Sequence, residues 1–401
     1  MKPLHFPSLS SRSPYICASC LSRSPIRFQS TITHAPPSSP TSGYSPLASR
    51  RLISLTGPDA THYLQGVITT SILSPAQGPR SEGFYTAFLN AQGRVLNDVF
   101  IYPYKTGDVA GEGWLIEVDA KEAEKLSKHI RRYKLRAKFD VRLLDIGEKT
   151  VWSVWNDGIK VWSDNKWTRH SLTGSTNGLD NSEHGSKQAE IGCEDNRAPG
   201  MGKRLILPAG QKPEEEVEET TEDAYRIRRY LKGVPEGQDE LIRESALPQE
   251  SNIDFMGGID YKKGCYVGQE LTIRTHHRGV IRKRILPVML YGKDETIPET
   301  LKYIPDKNLG VQGGAASVPM ETSIGRFEKR GRSAGKWLAG VGNIGLGLCR
   351  LEIMTDVSVP VEQAVGGGYD PSDEFKVEWT ADDGEKLLKV KAFVPSWHLK
   401  Q

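Results

Sequence analysis

Apolar positions along this chain recur with two periods. Residues 84–89 and 95–104 are short apolar-rich runs on either side of the polar stretch Asn90-Ala91-Gln92-Gly93-Arg94, which predicts two paired strands around a turn. Ala123, Leu126, Ile130 and Tyr133 instead fall three and four apart, the spacing of an amphipathic helix running from about Asp119 to Lys134. Residues 51–55 read as a strand, and Thr56-Gly57-Pro58-Asp59 reads as a helix start, with Tyr63, Leu64 and Val67 along one side of the helix. A buried strand is expected over 138–144 and another over 151–155. A helix from Tyr225 to Lys232 is closed by Gly233 and Pro235. Beyond Arg284 the pattern changes to short strands with glycine turns, at 285–291, 325–327, 346–353, 376–379 and 388–394, which suggests a small antiparallel barrel. Gly335-Lys336 and Gly366-Gly367-Gly368 lack the spacing of a phosphate loop and read as turns.

Composition divides the chain at its start. The first fifty residues hold no Asp or Glu, many Ser and Pro, and scattered Lys2, Arg12, Arg23 and Arg27. Residues 1–30 therefore read as a mitochondrial transit peptide and 31–49 as a flexible linker, placing the protein in the mitochondrial matrix. The Cys17-x-x-Cys20 pair belongs to the leader and would be removed with it. The full chain carries +3 and the leader four positive charges, so the mature chain comes to 3 − 4 = −1. That balance weighs against a dedicated nucleic-acid binder, although Arg226, Arg228, Arg229, Arg282, Lys283 and Arg284 supply local charge. No stretch has the roughly 18 apolar residues needed to span a bilayer, and no membrane partner is expected. Residues 163–188 and 207–222 read as polar insertion loops, the second holding the acidic run Glu214 to Glu219. The basic face of the 119–134 helix, with Lys125, Lys128, Arg131, Arg132 and Lys134, reads most simply as solvated, and it could also meet phosphate or an acidic partner.

The most informative stretch is Lys263-Gly264-Cys265-Tyr266-Val267-Gly268-Gln269-Glu270, one thiol between two glycines just ahead of a helix. Leu271, Arg274, Thr275 and Arg278 continue at helical spacing and Gly279 is a stop. The positive end of that helix, with Lys262, Lys263 and Arg274 close in sequence, suits a sulfur nucleophile or soft-metal ligand. The plainer reading is a small buried hydrophobe, the usual fate of a free cysteine. Cys193, Cys265 and Cys349 are widely separated, and iron-sulfur clusters commonly take four cysteines, so no complete cluster site is visible in this chain. If Cys265 holds a cluster, the other ligands come from a partner or a small thiol. His276 and His277 point about 100° apart on a helix, so at most one faces the site.

This block resembles the signature of the YgfZ-type mitochondrial iron-sulfur cluster assembly factors, folate-fold relatives of aminomethyltransferase, the T-protein of the glycine cleavage system. Further matching pieces are Leu64-Gln65-Gly66, the Asn90 to Asp98 hairpin, Tyr133-Lys134-Leu135-Arg136-Ala137-Lys138, Asn196-Arg197-Ala198-Pro199-Gly200-Met201-Gly202 and Tyr230 to Gly237. Leu247-Pro248 and Val394-Pro395-Ser396-Trp397 also fit. The resemblance implies an α+β, aminomethyltransferase (GcvT)-like folate-binding fold: two mixed α/β lobes over 50–285 around a central channel, and a C-terminal antiparallel β-barrel over 286–401. It implies a late role in maturing 4Fe-4S proteins, aconitase-type and radical-SAM enzymes among them, with A-type carrier proteins as partners. Cys265 is then the ligand of a transient shared iron-sulfur cluster. Tetrahydrofolate is an implied cofactor, with Tyr266, Glu244 and Arg274 as candidate contacts. The rival is a folate-dependent aminomethyltransferase using Asp98 as base, in a region where such enzymes show paired acids and this chain has Asn97-Asp98.

Overall fold

Three antiparallel sheets follow one another along the chain. The computed structural model describes residues 40–73, 78–105, 112–158, 191–328, 331–357 and 369–399. After β1 (Ser42–Pro46), which joins the second sheet, the first lobe holds β2 (Arg50–Thr56), α1 (Ala60–Val67), β3 (Phe84–Leu89), β4 (Val95–Lys105), β5 (Glu112–Asp119), α2 (Ala123–Tyr133) and β6 (Asp140–Leu143). Next come β7 (Lys149–Asn156), β8 (Ile191–Glu194), β9 (Lys203–Pro208), α3 (Glu222–Lys232) and α4 (Gln269–Arg278). The barrel is built from β10 (Lys283–Tyr291), β11 (Ser323–Arg326), β12 (Gly335–Val341), β13 (Ile344–Arg350), the short α5 (Leu351–Met354), β14 (Phe375–Ala381) and β15 (Gly384–Ala392).

The first sheet has the order β3-β4-β5-β2-β6 and is apolar on both faces. One face, with Ile53, Leu55, Val99 and Ile116, is covered by Leu64 of α1 and by Ala123, Leu126 and Ile130 of α2. The other face, with Leu52, Tyr85, Phe100 and Leu115, packs on Val151, Trp155 and Ile206 of the second sheet, β1-β7-β9-β8. Helix α3 joins the lobes to the barrel, since Tyr225 belongs to the inter-sheet core while Ile227 and Tyr230 pack on Ile285, Leu338 and Leu346. Thr221 caps its start and Gly233, at φ 70°, ends it in the left-handed conformation that glycine adopts without cost. The barrel closes in the order β10-β13-β12-β11-β14-β15 around Trp337, Ile324, Val377 and Val390.

Where the two sheets and α3 meet, the core is ionic. The Glu236 carboxylate accepts from Arg197 Nη1 at 2.7 Å and from the Tyr225 hydroxyl at 2.8 Å, and Arg204 donates to the same oxygen. Arg197 forks onto Asp195 at 2.9 and 2.7 Å. Glu117 takes Arg50 at 2.9 Å, Arg204 at 3.1 Å and the Tyr102 hydroxyl at 2.6 Å. Arg229 grips Glu240 with both terminal nitrogens, at 2.7 and 3.0 Å. All these charged groups are buried. Burial pushes the Glu236 carboxyl up, but Arg204, Arg197, Arg229 and Arg50 outweigh it and hold the group well below the usual carboxylate range.

Several expectations need correction. Ser42–Pro46, placed in the linker, is a strand, because its backbone finds a partner in β7. The acidic run does not simply project into solvent: Tyr44 N donates to Glu218 O at 3.0 Å, Thr220 N donates to Tyr44 O at 2.8 Å, and Val217 packs beside Trp152. Strand β6 is a partly exposed edge strand rather than a buried one. Gly335-Lys336, read as a turn, opens β12. Tyr133, read as the last core position of α2, is 52 % exposed at the end of the helix. The first barrel strand begins at Lys283, three residues ahead of the expected division. Of the cations weighed for nucleic acid, Arg228, Arg229 and Arg284 are buried against Asp157, Glu240 and Asp254. The expected leader, the 163–188 insertion and the triple glycine lie outside the described residues.

Two outcomes follow for stability. Glu236→Ala leaves three guanidiniums short of a counter-charge, so unfolding by urea should lose about 3–5 kcal/mol. His398 packs edge-on against Trp397 and Phe255, with ring centroids 4.2 and 5.2 Å away. Burial, with help from Arg284, lowers its pKa to about 3. The unfolded chain binds this proton below roughly pH 6.5 and the folded chain does not, so stability is full above that pH and falls as pH drops toward 3. Between pH 6 and 5 the decline should approach about 1.4 kcal/mol per pH unit. Denaturation midpoints of His398→Gln across the same range should be flatter than those of the parent chain.

Candidate functional site

The loop carrying Cys265 is fixed from three directions. Lys263 passes beneath α1 and donates to the carbonyls of Gln65 at 2.7 Å, Ile68 at 2.6 Å and Thr70 at 3.2 Å. Burial draws its pKa down to about 7, with the nearby Asp260 charge opposing the fall. Val267 N donates to Gly66 O at 3.0 Å, tying the loop to α1 a second time. The third contact is with the β3–β4 hairpin: a Cβ on Gly268 would lie 2.3 Å from Asn90 O, and one on Gly93 would lie 2.8 Å from Gly268 O. Both glycines have positive φ, 81° and 78°, so each is required twice over, by conformation and by space. Gly268 is the N-cap of α4. The Tyr266 ring points inward and is buried, with the Lys263 ammonium 5.0 Å from its centroid.

Between these anchors Cys265 is exposed. Its neighbour Val267 is 43 % exposed, an apolar group left at the surface beside the thiol. The other two described cysteines differ. Burial pushes the Cys349 thiol up to about 12 inside the barrel, and burial raises the half-buried Cys193 thiol as well. Lys263, expected to stand near the sulfur as a free charge, has its donors committed to α1. His276 stacks on Tyr261 with centroids 3.7 Å apart and planes 12° apart, and His277 meets His276 edge-on. Among the described residues no three of His, Cys, Asp and Glu form a group able to hold a metal ion. The loop thus offers one exposed sulfur.

The other expected site residues differ in their surroundings. Glu244 has its side chain 62 % exposed, beside Arg243 at 3.7 Å, and Arg274 is exposed on α4, whereas Tyr266 is buried. Asp98 lies at the edge of the ionic core, fully buried, with Oδ1 accepting from Gly237 N at 3.0 Å and Oδ2 3.7 Å from Arg50 Nη1. Burial raises its pKa and Arg50 opposes the rise. Polar atoms of Asp98, Arg50, Tyr85 and Gln238 are buried there without a hydrogen-bond partner among the described residues. Sequence reasoning singled out Asp98 and passed over the residues that surround it. Arg197 and Glu236 lie inside blocks that carried the resemblance, which is the signal that would have found them.

Comparison with known proteins agrees with this arrangement. The described model of the CAF17 C-terminal beta-barrel domain matches residues 282–399, which span the observed barrel. The aminomethyltransferase T of the glycine cleavage system from Bartonella henselae superposes with a TM-score of 0.56 at 12 % identity, covering 89 % of this chain and 86 % of its own. That likeness fixes the fold. Among curated proteins, the mitochondrial iron-sulfur cluster assembly factor IBA57 homolog of Pyricularia oryzae is 51 % identical over 96 % of this chain and 92 % of its own length. The homologs of Chaetomium globosum and Aspergillus fumigatus are 49 % and 44 % identical, over 90 % and 95 % of this chain and 85 % and 89 % of their own. With an aminomethyltransferase-like body, a matching barrel and this identity over nearly its whole length, the chain belongs to the family of IBA57-type mitochondrial iron-sulfur cluster assembly factors.

Proposed function

We propose that the protein acts late in the maturation of mitochondrial 4Fe-4S proteins by sharing a transient cluster with an A-type carrier protein, to which it contributes the single ligand Cys265. The observation that carries this reading is one exposed thiol on an anchored loop, with no group of three metal-ligating side chains among the described residues. A lone thiolate cannot hold a cluster that takes four ligands, but it can complete a site whose remaining ligands belong to the partner. Val267 beside the thiol gives that partner an apolar foothold. The cluster is cargo, passed on to recipient apoproteins such as aconitase-type and radical-SAM enzymes.

Folate is the finer part of the proposal. Asp98 Oδ2, the Tyr85 hydroxyl and the Gln238 amide, each buried without a hydrogen-bond partner among the described residues, have the donor and acceptor chemistry of a site for an amino-pyrimidinone edge, so these residues would hold tetrahydrofolate. The bound group would supply one-carbon carrier chemistry. Asp98 orients through Gly237 N, and the ionic core behind it keeps water out. Glu244 and Arg274, one acidic and one basic and both exposed at the surface, would meet the polar tail of the group rather than its buried ring. The burial of Asp98 also supports a structural place for it, in contrast to the solvent-facing thiol, and favours the assembly role over glycine-cleavage transfer.

Mixed with an A-type carrier and a two-iron cluster source, the protein should form a coloured complex that co-elutes on gel filtration and is abolished by Cys265→Ser, with the variant's thermal midpoint unchanged. Full complex formation by Cys265→Ser would sink the ligand role. Lys263→Met removes three charge-assisted hydrogen bonds beneath the loop and should cost about 2–3 kcal/mol. Amide hydrogen exchange over residues 260–268 should quicken in that variant, while exchange in the barrel stays as it was.

A further inference from the structure

The block Tyr133-Lys134-Leu135-Arg136-Ala137-Lys138, which the cluster chemistry does not use, forms the turn from α2 into β6. Two anomalies coincide there. Leu135 is 83 % exposed, and its φ is 48°, in the left-handed region that a leucine rarely enters. Nothing in the fold rewards that combination, since neither burial nor a tight apolar contact holds the side chain. Tyr133 beside it is also exposed, at 52 %.

Among the described residues the cations around these two form no ion pair, and the nearest acid contact is the Asp59 carboxylate, which accepts from Lys138 N at 2.6 Å. On the body of α2, Lys125 pairs with Glu122 and Lys128 with Glu124. From Arg131 onward the pairing stops: Arg131, Arg132, Lys134, Arg136 and Lys138 follow within eight residues and the first acid after them is Asp140. Arg131 donates to the Val141 carbonyl and Lys134 to the Phe139 carbonyl, while Arg132 lies over the Tyr133 ring at 5.6 Å. Arg132, Arg136 and Lys138 are exposed. A projecting turn with a leucine and a tyrosine among five cations is the pattern of an interfacial anchor, in which apolar tips enter the headgroup layer and cations meet lipid phosphates.

We propose that this turn docks the protein on an anionic phospholipid surface, with Leu135 and Tyr133 inserting and Arg132, Arg136 and Lys138 meeting the headgroups. An acidic protein is the competing occupant. A stable protein contact covers roughly 800 Å² on each partner, whereas the apolar part of this surface is two side chains on a projecting turn. Shallow insertion asks for no more than that, because the electrostatic attraction to the bilayer is spread over many lipids.

The test is sedimentation of the full chain with vesicles of phosphatidylcholine alone or of phosphatidylcholine doped with phosphatidylglycerol. At low salt the chain should sediment with the doped vesicles and not with the neutral ones. The basic leader is common to all variants, so differences between them report on the turn. Arg132→Glu with Arg136→Glu should weaken binding by about tenfold or more. Leu135→Gly relieves the left-handed strain, so it should melt no lower than the parent chain and yet bind the doped vesicles more weakly, which separates docking from folding. Equal sedimentation of the parent and both variants would overturn the proposal. So would absence of vesicle binding alongside a salt-sensitive complex with polyglutamate, which would assign the turn to an acidic protein.

Discussion

The Glu236 carboxylate holds the architecture in register. It receives Arg197 from the turn before β9, Arg204 from β9 itself and Tyr225 from α3, and Arg50 and Arg229 stand close enough to shift its titration. Through Glu117 the same group of charges reaches β5 and β2. Two sheets and the helix that leads to the barrel therefore meet at one desolvated cluster. Such a cluster tolerates no partial assembly, since each ion is costly to bury without the others. The aromatic faces of Phe100 and Tyr225, about 5 Å from the Arg204 guanidinium, complete its surroundings with polarisable rather than aliphatic walls.

From this cluster a continuous set of contacts leads to the thiol. Gly237, next to Glu236, binds Asp98 on β4, and β4 leads back to the hairpin turn that seats against Gly268. The hairpin is also tied to the following loop, because Val95 N donates to Ala246 O and Glu244 N to Val95 O. The segment from 244 to 268 is thereby pinned at both ends, with Ile253, Met256 and Ile259 filling the core between. Position, rather than any unusual feature of the sulfur's immediate partners, distinguishes Cys265 from Cys193 and Cys349.

Much of this was legible in the sequence, for identifiable reasons. The paired strands around Asn90–Arg94, the body of α2 and the stop at Gly233 follow from local pattern and turn chemistry, which act within a few residues. The candidate thiol was legible because glycines and a helix start bracket it. The ionic core was not. Arg50, Glu117, Arg197, Arg204 and Glu236 come from distant parts of the chain, and a charged residue read alone is assigned to solvent. The same bias placed Arg228, Arg229 and Arg284 in a nucleic-acid surface when all three are buried in pairs. Edge strands such as β8, and β1 inside a Ser/Pro-rich stretch, owe their structure to a neighbouring strand and carry little pattern of their own. Tyr133 fitted the helical period, yet periodicity alone does not report burial.

The triple anchoring of the Cys265 loop bears on the thermodynamics of association. A ligand on a mobile loop must be ordered when the complex forms, and the entropy lost is subtracted from affinity. Here the ordering is completed during folding, by Lys263 under α1, Gly66 beside Val267 and the hairpin against Gly268. Under the proposed cluster sharing, the protein would present its sulfur as a preorganised coordination site. In such a complex the conformational adjustment, and the ease of dissociation, would fall to the other member.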